Sequence, residues 1–243
     1  MHRFLTDTAS LSSASPVLPD AALRHLKVVR PREGERIELF DGRGSWRVYA
    51  WTGGRLQAAG EIMRSSRAGR RGLVLFACVT KGSRWDWTIE KATELGATRI
   101  VPVVSERTIV RIAPEDRSAN RGRWMRVAED AARQSDAKWL PEVCEPVPFG
   151  ESVALAAECE CYVGALTTPP PRDVLSAVMS SERDKSKPLA VFVGPEGDFA
   201  PGELAALLKV ATPVSLGPTI LRAETAAIYG LGVLKAFLDS EPA

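Results

Sequence analysis

The residues with chemistry to offer gather in one C-terminal stretch, residues 189–238. Leu189–Val193 is an apolar run that breaks at Gly194-Pro195-Glu196-Gly197. Val214-Ser215-Leu216 breaks in the same way at Gly217-Pro218, and Thr219-Ile220-Leu221 leads into a helix opening near Arg222. A short apolar run ending in a glycine turn and followed by a helix is how a buried parallel strand delivers a binding loop. Two such junctions close in sequence put two loops at the carboxyl ends of neighbouring strands, where open α/β sheets hold ligands. Their bare N–H and C=O groups suit an adenine ring read by main chain, although Gly-Pro pairs also simply turn corners. Arg222 and Glu224 follow at once. They bring a guanidinium able to stabilise developing negative charge and a carboxylate able to accept or orient a proton. The same two residues in a first helical turn equally make a cap and an ion pair. His2 and His25 both precede residue 30, so no histidine is available as a base in the C-terminal part.

The chain lacks other signatures. No GxGxxG follows the first strand of the C-terminal part, and there is no lysine-containing phosphate loop. The four cysteines, Cys78, Cys144, Cys159 and Cys161, are scattered. Cys159 and Cys161 would point the same way on a strand but lack partners for a zinc site, so reduced thiols and no metal are expected. No apolar run nears the roughly 20 residues that cross a bilayer. The N-terminus has no charged-then-apolar signal pattern, which makes a cytoplasmic location the expectation.

The elements that must position these groups fall into two parts. Residues 1–72 read as short strands separated by glycine turns: Arg36–Phe40, Trp46–Trp51 and Leu56–Met63, the pattern of a small antiparallel barrel or sheet. A short helix fits Asp20–Val29, with His25 as a packed or solvated residue on it. Arg64–Gly72 has linker composition and four arginines, which sets the expected boundary, with domains at 1–72 and 73–243. From Leu73 strand and helix alternate: Leu73–Val79, a helix from Arg84 to about Leu95 capped by Ser83 and closed by Gly96, Arg99–Val104, a long helix over Ser118–Ser135, then Cys161–Leu166, Arg172–Met179 and Leu189–Val193. Such alternation implies a largely parallel sheet with helices on both faces. Residues 1–72 hold 13 Lys and Arg against 7 Asp and Glu, a balance of +6 beside −4 for the remainder. That asymmetry is either the footprint of a polyanion partner or an uneven surface.

GPEG at 194–197, a helix, and then LGPTILRAETA at 216–226 resemble the signature of SPOUT-class RNA methyltransferases. With the MHRF start and the block KGSRWDWTIEKATELGATRIVPVVSERT at 81–108, the resemblance is to the RsmE family, which methylates N3 of a uridine in 16S ribosomal RNA, and it covers nearly the whole chain. It implies a PUA-like β-barrel, RNA-binding, ahead of a trefoil-knotted α/β methyltransferase domain. It implies S-adenosylmethionine held by Gly194, Pro195, Glu196, Gly197, Leu216, Gly217 and Leu221, with Leu166 and Thr167 closing the pocket. Arg222 and Glu224 become the catalytic candidates, and Arg3, Arg24, Lys81 and Arg84 the RNA contacts. The partners implied are 16S ribosomal RNA or the small ribosomal subunit and a second copy of the chain, meeting through the Trp124–Trp139 region or the C-terminal helix. The same fold acting on another RNA nucleotide, or binding RNA without catalysis, are the alternatives.

The chain departs from the family pattern at four places. Thr219 stands where arginine is usual, and Asp198 where glycine is common. Ala200 replaces a capping serine or threonine, and the run Ala132–Lys138 replaces an E-Q-x-G-R-like segment, with Arg133 and Lys138 as candidate replacements for its charge.

Overall fold

The computed structural model of the chain describes residues 1–167, 169–182, 184 and 186–241, so positions 242–243 of the expected second domain lie outside the described residues. It divides into two compact units, Met1–Ala68 with Glu129–Leu140, and Gly69–Ala128 with Pro141–Ala243.

In the first unit β1 (His2–Leu5), α1 (Thr8–Ser12) and α2 (Asp20–Val29) precede β2 (Arg36–Phe40), β3 (Ser45–Thr52), β4 (Arg55–Ala58) and β5 (Met63–Arg64). The sheet order is β1-β2-β3-β4, with β5 also on β3. The meander β2-β3-β4 is antiparallel, as glycine turns demand, but β1 pairs with β2 in parallel. Phe4, Leu11, Leu26, Ile37, Leu39 and Tyr49 form its core, and His25 packs edge-on against Phe4.

The segment Glu129–Leu140 belongs to this unit through a buried charge cluster. Arg3 Nε donates to Glu38 Oε1 at 2.7 Å, and its other nitrogens donate to the carbonyls of Ala132, Arg133 and Ala137. Lys138 Nζ reaches the same Glu38 oxygen at 2.7 Å and lies over Trp46. A carboxylate buried with two cations, one of them a guanidinium with four of its five donors used, is the arrangement that makes burial of charge tolerable. Arg3 and Lys138 are therefore structural here. Arg3 is 8% exposed with four of its five N–H donors used inside this unit, so its expected RNA contact gives way to a structural role, and Lys138 is not a free replacement charge. Arg133 is paired with Asp130.

In the second unit β6 (Leu73–Cys78), α3 (Ser83–Glu94), β7 (Arg99–Val104), a 3-10 turn at Pro114–Asp116, α4 (Arg117–Gln134), β8 (Glu142–Val143), β9 (Val147–Pro148), α5 (Phe149–Ala156), β10 (Glu160–Gly164), α6 (Val174–Met179), β11 (Leu189–Val193), α7 (Pro201–Leu207), β12 (Ala211–Val214) and α8 (Ala223–Ser240) follow one another. The sheet runs β12-β10-β11-β6-β7-β8, with β9 also on β7, and every pairing is parallel. β6 is apolar throughout because both of its faces are covered. Leu73, Leu75 and Ala77 point into one core with residues of α3, α4, α6 and α8, whereas Val74, Phe76 and Cys78 point into the other with residues of α5 and α7. Trp85, Ile89 and Ala92 lie on the buried face of α3, and Gly82 rather than the expected Ser83 is its N-cap. Trp124 is 2% exposed and packs edge-on against Trp85, so it belongs to a core and offers no surface to a second copy.

Helix α8 lies over β11 and β6. Ala223, Ala226, Ala227, Gly230, Leu231 and Leu234 are its buried stripe. At Gly230 an added Cβ would stand 2.8 Å from Val191 Cγ2, so only glycine lets the helix approach the strand this closely.

Candidate functional site

Strand β10 lies between β11 and β12, and the three end on one side of the sheet. The loops that leave them line one cavity of about 290 Å³. β10 contributes Gly164 to Leu166, β11 contributes Val193 to Glu196 with Asp198, and β12 contributes Ser215 to Gly217 and Thr219 to Leu221. The first turn of α8 adds Arg222, Ala223 and Ala226. The two glycine junctions thus meet in space, in the crevice beyond the strand ends where open α/β sheets hold ligands.

The β11 loop is tightly made. Asp198 N–H donates to the Pro195 carbonyl at 2.9 Å, and Asp198 Oδ1 accepts from Phe199 N–H at 2.8 Å. Asp198 has φ 58, in the left-handed region that asparagine and aspartate visit more readily than other side chains. That explains why glycine is at home at this position. An added Cβ at Gly194 would stand 3.0 Å from the buried ring of Phe199, so the loop closes against its own side chain. Glu196 is ion-paired to Arg84 at 3.2 Å.

The β12 loop is made differently. Gly217 has φ 119, a backbone state strained for any L side chain, and an added Cβ there meets nothing within 4 Å. Ser215 Oγ reaches Gly217 N at 3.3 Å, and Ile220 is 84% exposed. The main-chain N–H groups of Leu216, Ile220 and Leu221 donate to nothing among the described residues.

Of the residues expected to hold a cofactor, Leu166, Gly194, Pro195, Glu196, Leu216, Gly217 and Leu221 line the cavity, as does Arg222. Gly197 does not; its carbonyl accepts from Arg107 Nη1 at 2.8 Å. Thr167 turns away and donates to the Pro169 carbonyl. Glu224 is also absent from the lining and stands behind the wall formed by Val193, Gly194 and Ala223. There its Oε2 is buried without a partner among the described residues, as are Thr80 Oγ1 and Trp85 Nε1, all around a void too tight for water. Cys78 borders the same void, and burial pushes its thiol up to about 12, which leaves it inert. Sequence reasoning missed Gly164, Ala223 and Ala226. Their signal was size: small residues at a strand end and at i, i+3 of a helix leave room for a ligand.

Lys81 and Arg24 are exposed on their own units, whereas Arg84 is half-buried against Glu196. No helix among the described residues is long and apolar enough to cross a membrane.

Comparison with known proteins agrees with this architecture. The RNA methyltransferase domain family matches residues 69–235, and an RNA methyltransferase PUA domain matches residues 18–50. A ribosomal RNA small subunit methyltransferase E from Synechocystis sp. is 30% identical over 244 residues, 98% of this chain and 78% of that protein. The crystal structure of a ribosomal RNA small subunit methyltransferase E from Neisseria gonorrhoeae, bound to S-adenosyl methionine, superposes with a TM-score of 0.79 at 29% identity, covering 98% of both chains. A methyltransferase from Legionella pneumophila in complex with the same cofactor gives 0.79 at 25% identity, covering 97% of both. A two-unit chain with its ligand crevice at three parallel strand ends, and with relatives of this kind along its whole length, belongs to the RsmE family of ribosomal RNA methyltransferases.

Proposed function

We propose that the protein transfers a methyl group from S-adenosylmethionine to N3 of a uridine in 16S ribosomal RNA. The observation that carries this is the meeting of the β11 and β12 loops around one cavity with unpaired main-chain N–H groups on its rim. These groups fit the cofactor: an adenine edge needs donors and acceptors from main chain, and Ala223 and Ala226 leave an apolar wall beside them. Leu216, Gly217 and Leu221 would hold the base, with Gly194 to Glu196 opposite. When bound, S-adenosylmethionine supplies a methyl group already activated by its sulfonium.

The remaining demand falls on the acceptor, whose N3 proton must leave while charge develops on a neighbouring oxygen. Arg222 lines the cavity, is exposed, and has no side-chain partner among the described residues. It is placed to stabilise that charge, and a preorganised cation of this kind is worth about two to three orders of magnitude in rate. Glu224 stands behind the wall, outside the cavity lining, and is not placed to take the proton.

The same reading makes Lys81 and Arg24 RNA contacts and the small-subunit RNA or particle the partner, in the cytoplasm. It also makes the protein a homodimer, which the exposed apolar side chains Leu166, Ile220 and Tyr229 support. The trefoil knot belongs to it too: after β12, at the sheet edge, α8 returns over β11 and β6 at the centre.

Purified protein incubated with labelled donor and either small-subunit particles or free 16S RNA tests the proposal by identification of the modified nucleoside. Label in 3-methyluridine is expected. Label in another nucleoside would redirect the substrate, and donor binding without transfer would make Thr219, in place of the family's arginine, the mark of a non-catalytic RNA binder.

A further inference from the structure

The β11 loop is gripped from outside the cavity by a turn, residues Ser105–Thr108, that follows β7. The turn is rigid by construction: Ser105 N–H donates to Thr108 Oγ1 at 2.9 Å, the two hydroxyls are 2.9 Å apart, and Thr108 N–H returns to the Ser105 carbonyl. Ser105 and Thr108 are 3% and 0% exposed. From this turn Arg107 Nη1 donates to the carbonyls of Gly197 at 2.8 Å and Phe199 at 3.4 Å. An added Cβ at Gly197 would lie 3.7 Å from Arg107 Cδ, so the side chain runs along the loop.

The grip is reciprocal. Glu203 of α7 accepts from Glu106 N–H at 2.8 Å with one oxygen and from Ala200 N–H at 3.1 Å with the other. One charged side chain crosses in each direction between the Ser105–Thr108 turn and the segment 197–203. Arg107 binds the carbonyls of the loop, while the N–H groups of Glu196 and Gly197 donate to nothing among the described residues. A loop whose acceptors are pinned on the outer side presents its donors without a reorganisation cost, which is what preorganisation of a binding site requires.

We infer that Arg107 is a positioning residue that clamps the Gly194–Phe199 loop and, through it, sets the affinity for the methyl donor. The second half of this rests on the reading of the cavity as an S-adenosylmethionine site. Arg107 does not line the cavity, so its loss acts through loop geometry. Glu203 makes the reciprocal contact, but its carboxylate meets Glu106 and the start of its own helix and touches none of residues 194–199.

The test is a titration of S-adenosylmethionine into wild type, Arg107→Ala, Arg107→Lys and Glu203→Gln by calorimetry, with steady-state transfer to small-subunit particles and amide exchange without donor. Arg107→Ala is expected to raise the donor Kd and KM about tenfold or more, the loss of a charge-assisted grip. At saturating donor, kcat stays within about threefold, because the transition-state contacts are untouched. Arg107→Lys recovers part of the affinity, since a point charge reaches one carbonyl but not two. Without donor, Arg107→Ala raises exchange at the Asp198 and Phe199 amides about tenfold, the opening of a local unit. A donor Kd within twofold of wild type, or a fall in kcat with Kd unchanged, overturns the role in affinity. Unchanged exchange overturns the clamp itself. Failure of the wild type to bind donor removes the reading of the cavity, and the exchange measurement still decides whether Arg107 holds the loop.

Discussion

Two loops of similar sequence grammar face each other across the cavity, and they are built in opposite ways. The β11 loop has its carbonyls held: those of Pro195, Gly197 and Phe199 all accept hydrogen bonds, one from within the loop and two from Arg107. The β12 loop leaves the N–H groups of Leu216, Ile220 and Leu221 without an acceptor among the described residues, with Gly217 at φ 119 held only by the Ser215 hydroxyl and Ile220 out in solvent. One wall of the site has its carbonyls held before a ligand arrives, with the Glu196 and Gly197 N–H groups left to make hydrogen bonds, whereas the other is tied down by little beyond the Ser215 hydroxyl. A braced wall supplies shape with no ordering left to do, whereas an open wall supplies directional contacts whose ordering opposes binding. Substitutions on the two sides should therefore fail in different ways.

The largest effect belongs to the open side. Arg222→Ala is expected to slow single-turnover transfer by about two to three orders of magnitude with little change in donor affinity, as for loss of one preorganised charge stabiliser. Glu224→Gln, behind the wall, is expected to stay within about tenfold of wild type, less than removal of a general base costs. A collapse of activity in Glu224→Gln with Arg222→Ala unaffected would reverse the assignment of the two residues and of the wall between them.

Next comes Gly194→Val on the braced side. The new Cβ begins 3.0 Å from Phe199, whose ring is held against Phe192 and Phe149, so no neighbour gives way cheaply. Overpacking of this kind costs about 1–3 kcal/mol, and both the melting temperature and the donor affinity should fall, the latter about ten- to hundredfold. Gly217→Val, on the open side, meets no neighbour; its cost is the backbone strain at positive φ, about 1–3 kcal/mol if the loop cannot relax. Being open, the loop does relax, so donor affinity falls by about tenfold while the melting temperature holds. Calorimetry and thermal melts on both variants separate the cases. A larger loss of stability from Gly217→Val than from Gly194→Val would abolish the contrast between the loops.

The same contrast shows what a linear sequence discloses. The strand, glycine break and helix at 189–201 and 214–223 are local patterns, and so both junctions, the parallel sheet and the lining residues Gly194 to Glu196 were readable. The bracing was not, because its partners are distant in sequence. Arg107 lies 90 residues from Gly197, and an arginine carries no mark of whether it faces solvent or a carbonyl. The partners of Arg3, which the resemblance had set among the RNA contacts, were hidden for the same reason: its acceptors at Ala132 and Ala137 are more than a hundred positions away. Helix α4 looked like one element of one domain, yet Glu129–Leu140 clusters with the first unit, held by Arg3 and Glu38, by main-chain bonds from Gly44 to Lys138 and from Leu140 to Gly42, and by Trp139 against Gly44, all of them distant in sequence. Strand β1 escaped because a four-residue strand paired in parallel has no turn to announce it. Glu224 was legible as a residue but not as to which side of Gly194 it stands.

The smallest expected effect is also the sharpest probe of the braced wall. Asp198→Gly relieves a non-glycine residue at φ 58, a gain that for aspartate falls below the roughly 1–2 kcal/mol of an ordinary side chain. Against this stand the lost hydrogen bond to Phe199 N–H, about 0.5–1.5 kcal/mol, and the entropy glycine adds to the unfolded chain, about 0.5–1 kcal/mol. The terms nearly cancel, so stability should change by about 1 kcal/mol or less, a melting shift of about 2–4 °C at most for a chain of this size. With Arg107 still holding the carbonyls on either side, the loop keeps its course and donor affinity should stay within about threefold. A loss well beyond tenfold in calorimetry, at an unchanged melting temperature, would mean that the carboxylate of Asp198, a residue of the cavity lining, is itself a ligand of the donor. The braced wall would then be contributing a charge as well as a shape.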